Sequence, residues 1–492
     1  MVACLIPVRG TAIAFYHGMM VPSVRKRLIG ILVAAFLGCA FSAASAGGFD
    51  GSAPGAVQGP ARRALELEKI VITGNSYVSD AVILGTVRLA AGDTVNAAIL
   101  EDARLRLLRE HHLLRSVDFS TRPGSRRGLV VLDIAIAERR PVAFETGFGY
   151  HDIYGWFLTL LGVRVDPGFA GGTELGLGLR LGFHLTGLDG EVERRARPDG
   201  LGFGGNFHVY SQEHIFFESG AGGGEGGDQS AHELQQRVDR SGAELYLLYG
   251  ARSRTRFSFG LRAESVRPES SYVDSDSDVE HPLADFPASM RIEIQNTVIT
   301  GLFFRVVRDT RDRLDYPRSG SFSILQMQSN NTFLGGDEIF AKAELDFRKH
   351  VGLGGWRVLS SRLAAGITSP GAPYYERFFL GGMYSVRGFR ELSLSPPSGN
   401  DGFVILSEEL RVPLVSSAGN VPRLTGLVFI DAGLGWRRGA AIDSSDVQAA
   451  AGYGVRLRLP WIGTLGVDAG VPFTDGRTGD RFYVHGSLGF SF

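Results

Sequence analysis

Between Thr173 and Leu185 every odd position is large and apolar: Leu175, Leu177, Leu179, Leu181, Phe183 and Leu185. The even positions are Glu174, Gly176, Gly178, Arg180, Gly182 and His184. A period of two places the two sets on opposite faces of an extended strand. Phe257, Phe259, Leu261 and Ala263 alternate in the same way with Arg256, Ser258, Gly260, Arg262 and Glu264. The pattern returns with Tyr453, Val455, Leu457 and Leu459, and again from Phe482 to the terminal Phe492. A soluble sandwich also alternates, but these runs have the length of roughly 9–11 residues that crosses a bilayer at a tilt. In hydrocarbon every backbone amide must be paired within the protein, which admits closed barrels and excludes open sheets. The pattern predicts a mainly β protein with a transmembrane antiparallel barrel over residues 141–492, its polar face lining the interior.

Sixteen barrel strands are predicted, starting near residues 142, 156, 173, 201, 232, 243, 254, 289, 320, 337, 355, 403, 424, 447, 463 and 482. Registration is weakest over 186–242, where 219–227 is rich in glycine. With the N-terminal domain on the periplasmic side, the longest connection, about 367–402, joins strands 11 and 12 on the outer side.

The first 46 residues read as a signal peptide to be removed. Arg25, Lys26 and Arg27 precede an apolar run from Leu28 to Phe41 and then Ala44-Ser45-Ala46. Both cysteines, Cys4 and Cys39, lie in this segment, so the mature chain is expected to lack disulfides and thiol chemistry. Its loss takes the formal net charge from −1 to −5, which speaks against nucleic acid as a partner.

A linker at 47–65 leads to a small mixed domain at 66–140. Lys69–Thr73 reads as a strand ended by the turn pair Gly74-Asn75. Ser79 and Asn96 stand where they can cap two helices, to Leu89 and to Glu110. On the second helix Leu100, Ala103, Leu107 and Leu108 share a face. Strands at Ser116–Thr121 and Gly128–Glu138 complete a β-α-α-β-β order.

Three motifs then fall in sequence. Arg308-Asp309-Thr310-Arg311-Asp312 runs through Tyr316-Pro317 to Ser319-Gly320. Phe378-Phe379-Leu380-Gly381-Gly382 leads to Val386-Arg387-Gly388-Phe389, and Phe429-Ile430-Asp431-Ala432-Gly433 follows. Together they resemble the BamA/TamA-like outer-membrane insertase superfamily, whose members include two-partner secretion transporters and the mitochondrial sorting-assembly barrel. The small domain resembles the polypeptide-transport-associated (POTRA) module, with Gly74-Asn75 at its turn and Ala137-Glu138 at its end. The resemblance covers roughly 66–492 and implies one POTRA-like domain before a 16-stranded barrel.

It further implies that Arg387, at the tip of the sixth outer loop, folds into the lumen and pairs with Asp431 on the thirteenth strand. The alternation agrees. Val428, Ile430, Ala432, Leu434 and Trp436 form the lipid face, so Phe429, Asp431 and Gly433 point inward, where a lone carboxylate is costly and an arginine is a bidentate partner. Asp309 and Arg311 can pair across the mouth of the strand 8–9 turn, for which Pro317 and Gly320 supply ordinary turn chemistry. Phe490 and Phe492 resemble the terminal assembly signal of outer-membrane barrels, with Ser487 where glycine is usual and Gly486 displaced by one.

Asp274, Asp276, Asp278 and Glu280 lack the spacing of a calcium loop. No cofactor, metal site or catalytic triad is expected, and the chain is not expected to be an enzyme. The leading functional expectation is an outer-membrane assembly factor that receives unfolded barrel clients in the periplasm and inserts them through a lateral seam. The seam would lie between 142–150, weakened by Gly147 and Gly149, and 482–492. Partners would be those clients, outer-membrane lipid and periplasmic accessory proteins. The alternative is a two-partner-secretion transporter exporting a polypeptide through the lumen.

Overall fold

The computed structural model describes residues 65–488, except 112–113, 139–141, 152–154, 166–172, 183, 195–199, 219–231, 251–253, 275–278, 283–294, 314–315, 416–420, 460–462 and 475–481. The expected signal peptide, the linker to residue 64, the glycine-rich segment, Phe490 and Phe492 lie outside the described residues.

The N-terminal domain runs β1 (Leu65–Thr73), α1 (Asp80–Val87), β2 (Thr94–Val95), α2 (Ala97–Glu110), β3 (Leu114–Pro123) and β4 (Leu129–Glu138). Its sheet order is β2-β1-β4-β3, with β1 parallel to β4 and the other pairs antiparallel. Ala103 and Leu107 of α2 and Ile83 and Val87 of α1 bury against Leu67, Leu132 and Ile134. Asn96 caps α2 by accepting the Ile99 N–H at 2.9 Å. Ser79 precedes α1, but its side chain caps nothing, and α1 stops at Val87 rather than Leu89 because Arg88 turns left-handed (φ +54°). The Gly74-Asn75 turn is held from the far end of the domain. Glu138 accepts the N–H groups of Ser76, Tyr77 and Val78 at 2.7, 2.8 and 2.9 Å. Gly74, at φ +86°, brings its backbone so close to β4 that a Cβ would stand 2.1 Å from the Ile136 carbonyl oxygen.

The barrel follows as β5 (Val142–His151), β6 (Gly155–Val165), β7 (Thr173–Gly182), β8 (Leu185–Arg194), β9 (Leu201–Glu218), β10 (His232–Tyr249) and β11 (Thr255–Pro268). A short hairpin, β12 (Ser271–Asp274) and β13 (Val279–Pro282), precedes β14 (Thr297–Asp309), β15 (Gly320–Asn330), β16 (Phe340–Gly352), β17 (Val358–Thr368) and β18 (Gly402–Val415). The wall ends with β19 (Leu424–Trp436), β20 (Gln448–Leu459), β21 (Gly463–Pro472) and β22 (Tyr483–Leu488). Sixteen of these form the wall and β22 closes on β5. The outward face is the predicted one. Leu177, Phe259, Leu261, Val428, Tyr453 and Val455 are all exposed, whereas Glu174, Ser258, Glu264 and Asp431 are buried. No helix among the described residues is long and apolar enough to cross a membrane, which says nothing of the strands.

The number of strands is as predicted, but two of the assignments differ, and the start placed near 289 lies outside the described residues, with β14 described from Thr297. The starts placed at 232 and 243 belong to one strand, β10, of 18 residues. Its outward positions change from Arg237, Asp239 and Ser241 to Leu245, Leu247 and Tyr249, so one strand reads as two. At ~3.3 Å per residue, β9 and β10 are each about twice as long as a ~30 Å hydrocarbon core requires, so their far halves extend beyond the length a crossing needs. The strand missed is β8. Only Leu188 and Val192 mark its outward face, and the gap at Gly190 is filled by the Phe207 ring of β9, which a Cβ there would meet at 2.3 Å. The run read through Leu185 ends at Gly182, and Leu185 is buried at the start of β8.

Candidate functional site

The connection between β17 and β18 folds into the barrel, where two buried charge clusters bond it to the wall. The deeper is Arg387. Its Nε and Nη2 donate to Asp431 Oδ2 and Oδ1 at 2.7 and 2.9 Å, and its backbone N–H donates to Oδ2 at 3.0 Å. Nη1 donates to Glu409 Oε2 at 2.8 Å and to Asp468 Oδ2 at 3.2 Å. The guanidinium carbon lies 3.7 Å from the centre of the Phe429 ring. Arg411 donates to Glu409 at 2.7 Å, and Arg456 donates to both oxygens of Asp468. Three arginines therefore face three carboxylates, and none of the six is more than 1% exposed. Such a cluster survives burial because each charge is countered and hydrogen-bonded.

Close packing seats the motif. Val386, Phe389 and Ala450 bury together. Gly433 leaves the space that Val386 fills, since a Cβ there would meet Val386 Cγ2 at 2.5 Å. Gly388, at φ +90°, passes against Gly470 of β21, where a Cβ would stand 2.6 Å from the Gly388 Cα. Only glycine on both sides permits that approach.

The second attachment is Glu376, in the short 3-10 turn Tyr374–Glu376. Its Oε1 accepts from Arg240 at 2.5 Å and Arg262 at 3.1 Å, and Lys342 Nζ lies 3.9 Å from Oε2. Glu264 shares both arginines and also meets His208 at 2.8 Å. Burial opposes ionisation of Glu376, but the charges of Arg262, Arg240 and Lys342 outweigh it and keep the carboxyl below its usual range. Above this point Tyr374 packs with Phe216, Leu234 and Tyr272, and Leu392 with Ile215 and Phe217. The far halves of β9 and β10 thus cover the loop.

Asp309, Arg311, Pro317 and Gly320 form a separate group at the β14–β15 turn. Arg311 donates to both oxygens of Asp309 at 3.0 and 2.7 Å and stacks on Phe322. Asp312 accepts the N–H groups of Arg318 and Ser319, and Tyr316 O–H donates to the Trp356 carbonyl at 2.9 Å. The Asp309 and Asp312 contacts close the turn on itself, and Tyr316 ties it to the neighbouring β16–β17 turn.

The sequence motifs omit Glu409, Arg411, Arg456 and Asp468 at one attachment and Glu376, Arg240, Arg262 and Glu264 at the other. The inward parity of the strand residues was visible, whereas Glu376 lies in a loop and has none; the convergence of all of them depends on register and on the path of the loop.

A model of the Omp85 superfamily domain matches residues 192–492. The chain belongs to the Omp85 superfamily. Outer membrane protein assembly factor BamA of Nitratidesulfovibrio vulgaris is 23% identical over 434 residues, covering 85% of this chain and 50% of that protein. A SAM50-like protein of Schizosaccharomyces pombe is 30% identical over 162 residues, covering 28% and 34%. The chain thus spans half the length of the first relative, and the match to the second about a third of that protein. BamA from Haemophilus ducreyi lacking POTRA domains 1–3 shares the fold, with a TM-score of 0.55 at 20% identity over 86% of this chain and 84% of that one. In this Omp85 member, then, the strand carrying Asp431 is the thirteenth of the wall, and the connection carrying Arg387 joins the eleventh to the twelfth.

Proposed function

We propose that this chain is an outer-membrane assembly factor, not an enzyme, which inserts unfolded barrel clients through a seam between β5 and β22. Its N-terminal domain, read as one POTRA-like module, would stand in the periplasm and receive extended clients by strand addition to its sheet edge. The observation that carries the reading is the uneven regularity of the wall. The pairings β5–β6 and β6–β7, next to the seam, each contain a register shift, between Glu145 and Gly147 and between Thr159 and Leu161. From β9 through β18 the successive long pairings run without one, and β18–β19 has a single shift between Pro413 and Val415. On the β22 side of the seam the pairings from β19 to β22 are regular, so the paired shifts mark the β5 side. Bulges bend a strand and interrupt its ladder, so an edge built this way separates at lower cost than the regular wall opposite.

A client strand crossing lipid needs partners for its backbone groups, and an opened barrel offers two edges as templates. Client folding and lipid burial supply the energy. The relatedness to BamA and to a SAM50-like protein supports assembly in a membrane as the general role. The arginine cluster would keep the loop seated in the lumen while the wall opens on one side.

The test is reconstitution. Purified protein in liposomes is expected to speed the folding of urea-denatured barrel clients well above protein-free liposomes. No acceleration, together with passage of an extended polypeptide into the vesicles, would instead support export through the lumen.

A further inference from the structure

The last strand is gripped from inside the barrel by the loop, through Gly388 of the loop motif and through Glu391, Tyr483 and His485, which belong to none of the motifs. The side-chain partners of Arg387 lie on β18 (Glu409), β19 (Asp431) and β21 (Asp468). Contact with β22 is made differently. The Gly388 N–H donates to His485 Nε2 at 3.1 Å. Glu391 then turns to the same strand: its Oε2 accepts the Tyr483 O–H at 3.2 Å, and its Oε1 lies 3.3 Å from His485 Nδ1. His485 is only 1% exposed and is the register partner of Asp468 on β21.

The chemistry of the ring makes this a directed contact. A neutral imidazole has one donor and one acceptor nitrogen. Since Nε2 accepts from Gly388, the ring proton belongs on Nδ1, the atom that faces the Glu391 carboxylate. One histidine thus joins a backbone amide of the loop tip to a carboxylate of the same loop. The loop is shaped for this: Leu392, directly after Glu391, has φ +60°, a left-handed conformation rare for a bulky residue and held here by burial against Ile215 and Phe217.

We infer that Glu391, His485 and Tyr483 form a latch that positions the last strand against the loop, separate from the arginine cluster that seats the loop in the wall. This rests on the seam reading above and adds a division of labour to it. Among the described residues the loop reaches β22 through this latch and the Gly388 N–H, so the last strand can be released while Arg387 keeps its bonds to β18, β19 and β21. Opening is then confined to one strand, and no buried charge loses its partner.

The experiment is amide hydrogen exchange on the full chain in liposomes without client, followed by client folding with the same variants. His485→Ala and Glu391→Ala are each expected to raise exchange across residues 483–488 by about tenfold, with 424–436 unchanged. The double variant should raise exchange by less than the two single effects combined, because both changes remove the Glu391–His485 contact. His485→Gln should restore protection, since its amide can accept from Gly388 and donate to Glu391. Tyr483→Phe, a milder change, should give a smaller rise and serves if the alanine variants fold poorly. Unaltered exchange over 483–488 in folded variants overturns the latch, whatever the client assay gives. Raised exchange with client folding unaffected upholds the latch and counts against insertion at this seam.

Discussion

The two buried charge clusters that attach the β17–β18 loop are built with opposite charge. At Glu376 the loop brings a carboxylate to a wall of Arg240, Arg262 and Lys342, softened by Glu264. At Arg387 it brings a cation to Glu409, Asp431 and Asp468, with Arg411 and Arg456 completing the balance. The Arg387 attachment combines a bidentate pair, a backbone N–H bond, an aromatic face and a glycine-to-glycine approach. That at Glu376 has ion pairs and an aromatic roof. A strap with ends of opposite sign cannot dock in reverse, because each end would meet its own charge. Charge sets the direction of the loop, and packing sets its position.

The comparison can be broken at either end. The largest effect is expected from Arg387→Ala, which leaves three carboxylates facing two arginines and should cost about 3–5 kcal/mol. Limited proteolysis should then cut near residues 380–395 first, with the Glu376 end still protected. Leu177→Arg acts on the wall instead, by about 2–4 kcal/mol near the midplane. Both limbs of the loop should gain protease sensitivity together, and tolerance of the change would mean that the outward face is misassigned. Glu376→Gln keeps an acceptor but removes the charge, for about 1–3 kcal/mol. Cleavage should shift to residues 369–379 and leave the Arg387 end closed. The smallest change, Tyr374→Phe, deletes the 2.6 Å bond to Gln236 and should cost about 0.5–1.5 kcal/mol, visible as a small drop in thermal midpoint. If Arg387→Ala and Glu376→Gln give one cleavage pattern, the two attachments are not separate.

Much of this was legible in the sequence, and the failures have physical causes. Strict alternation placed the lipid face wherever large apolar side chains repeat, as on β7, β11 and β20. It failed on β8, where Phe207 of a neighbouring strand fills the gap at Gly190, and on β10, whose outward face passes from polar to apolar along one strand. Asp431 was assigned to the lumen by the resemblance, and parity agreed, because Val428, Ile430 and Ala432 alternate on the opposite face. Glu376 was not found, since a loop carboxylate has no periodicity and its three cations stand on β10, β11 and β16. His485 shared the polar parity of the last strand, but nothing in the order of residues sets it against Gly388. Local patterns reveal which way a side chain points; register and loop path decide what it meets.

The central claim is that clients enter through the β5–β22 seam, and a reversible lock tests it most directly. No cysteine follows Cys39, so single cysteines can be placed at Val484, on the exposed face of β22, and in turn at residues 144–148 of β5 to find a pair that forms a disulfide. Folding of denatured barrel clients in liposomes is then measured with the lock closed and after reduction. The account predicts that folding falls to the level of protein-free liposomes when locked and recovers with reductant. Client folding at the full rate through an efficiently formed lock would contradict it.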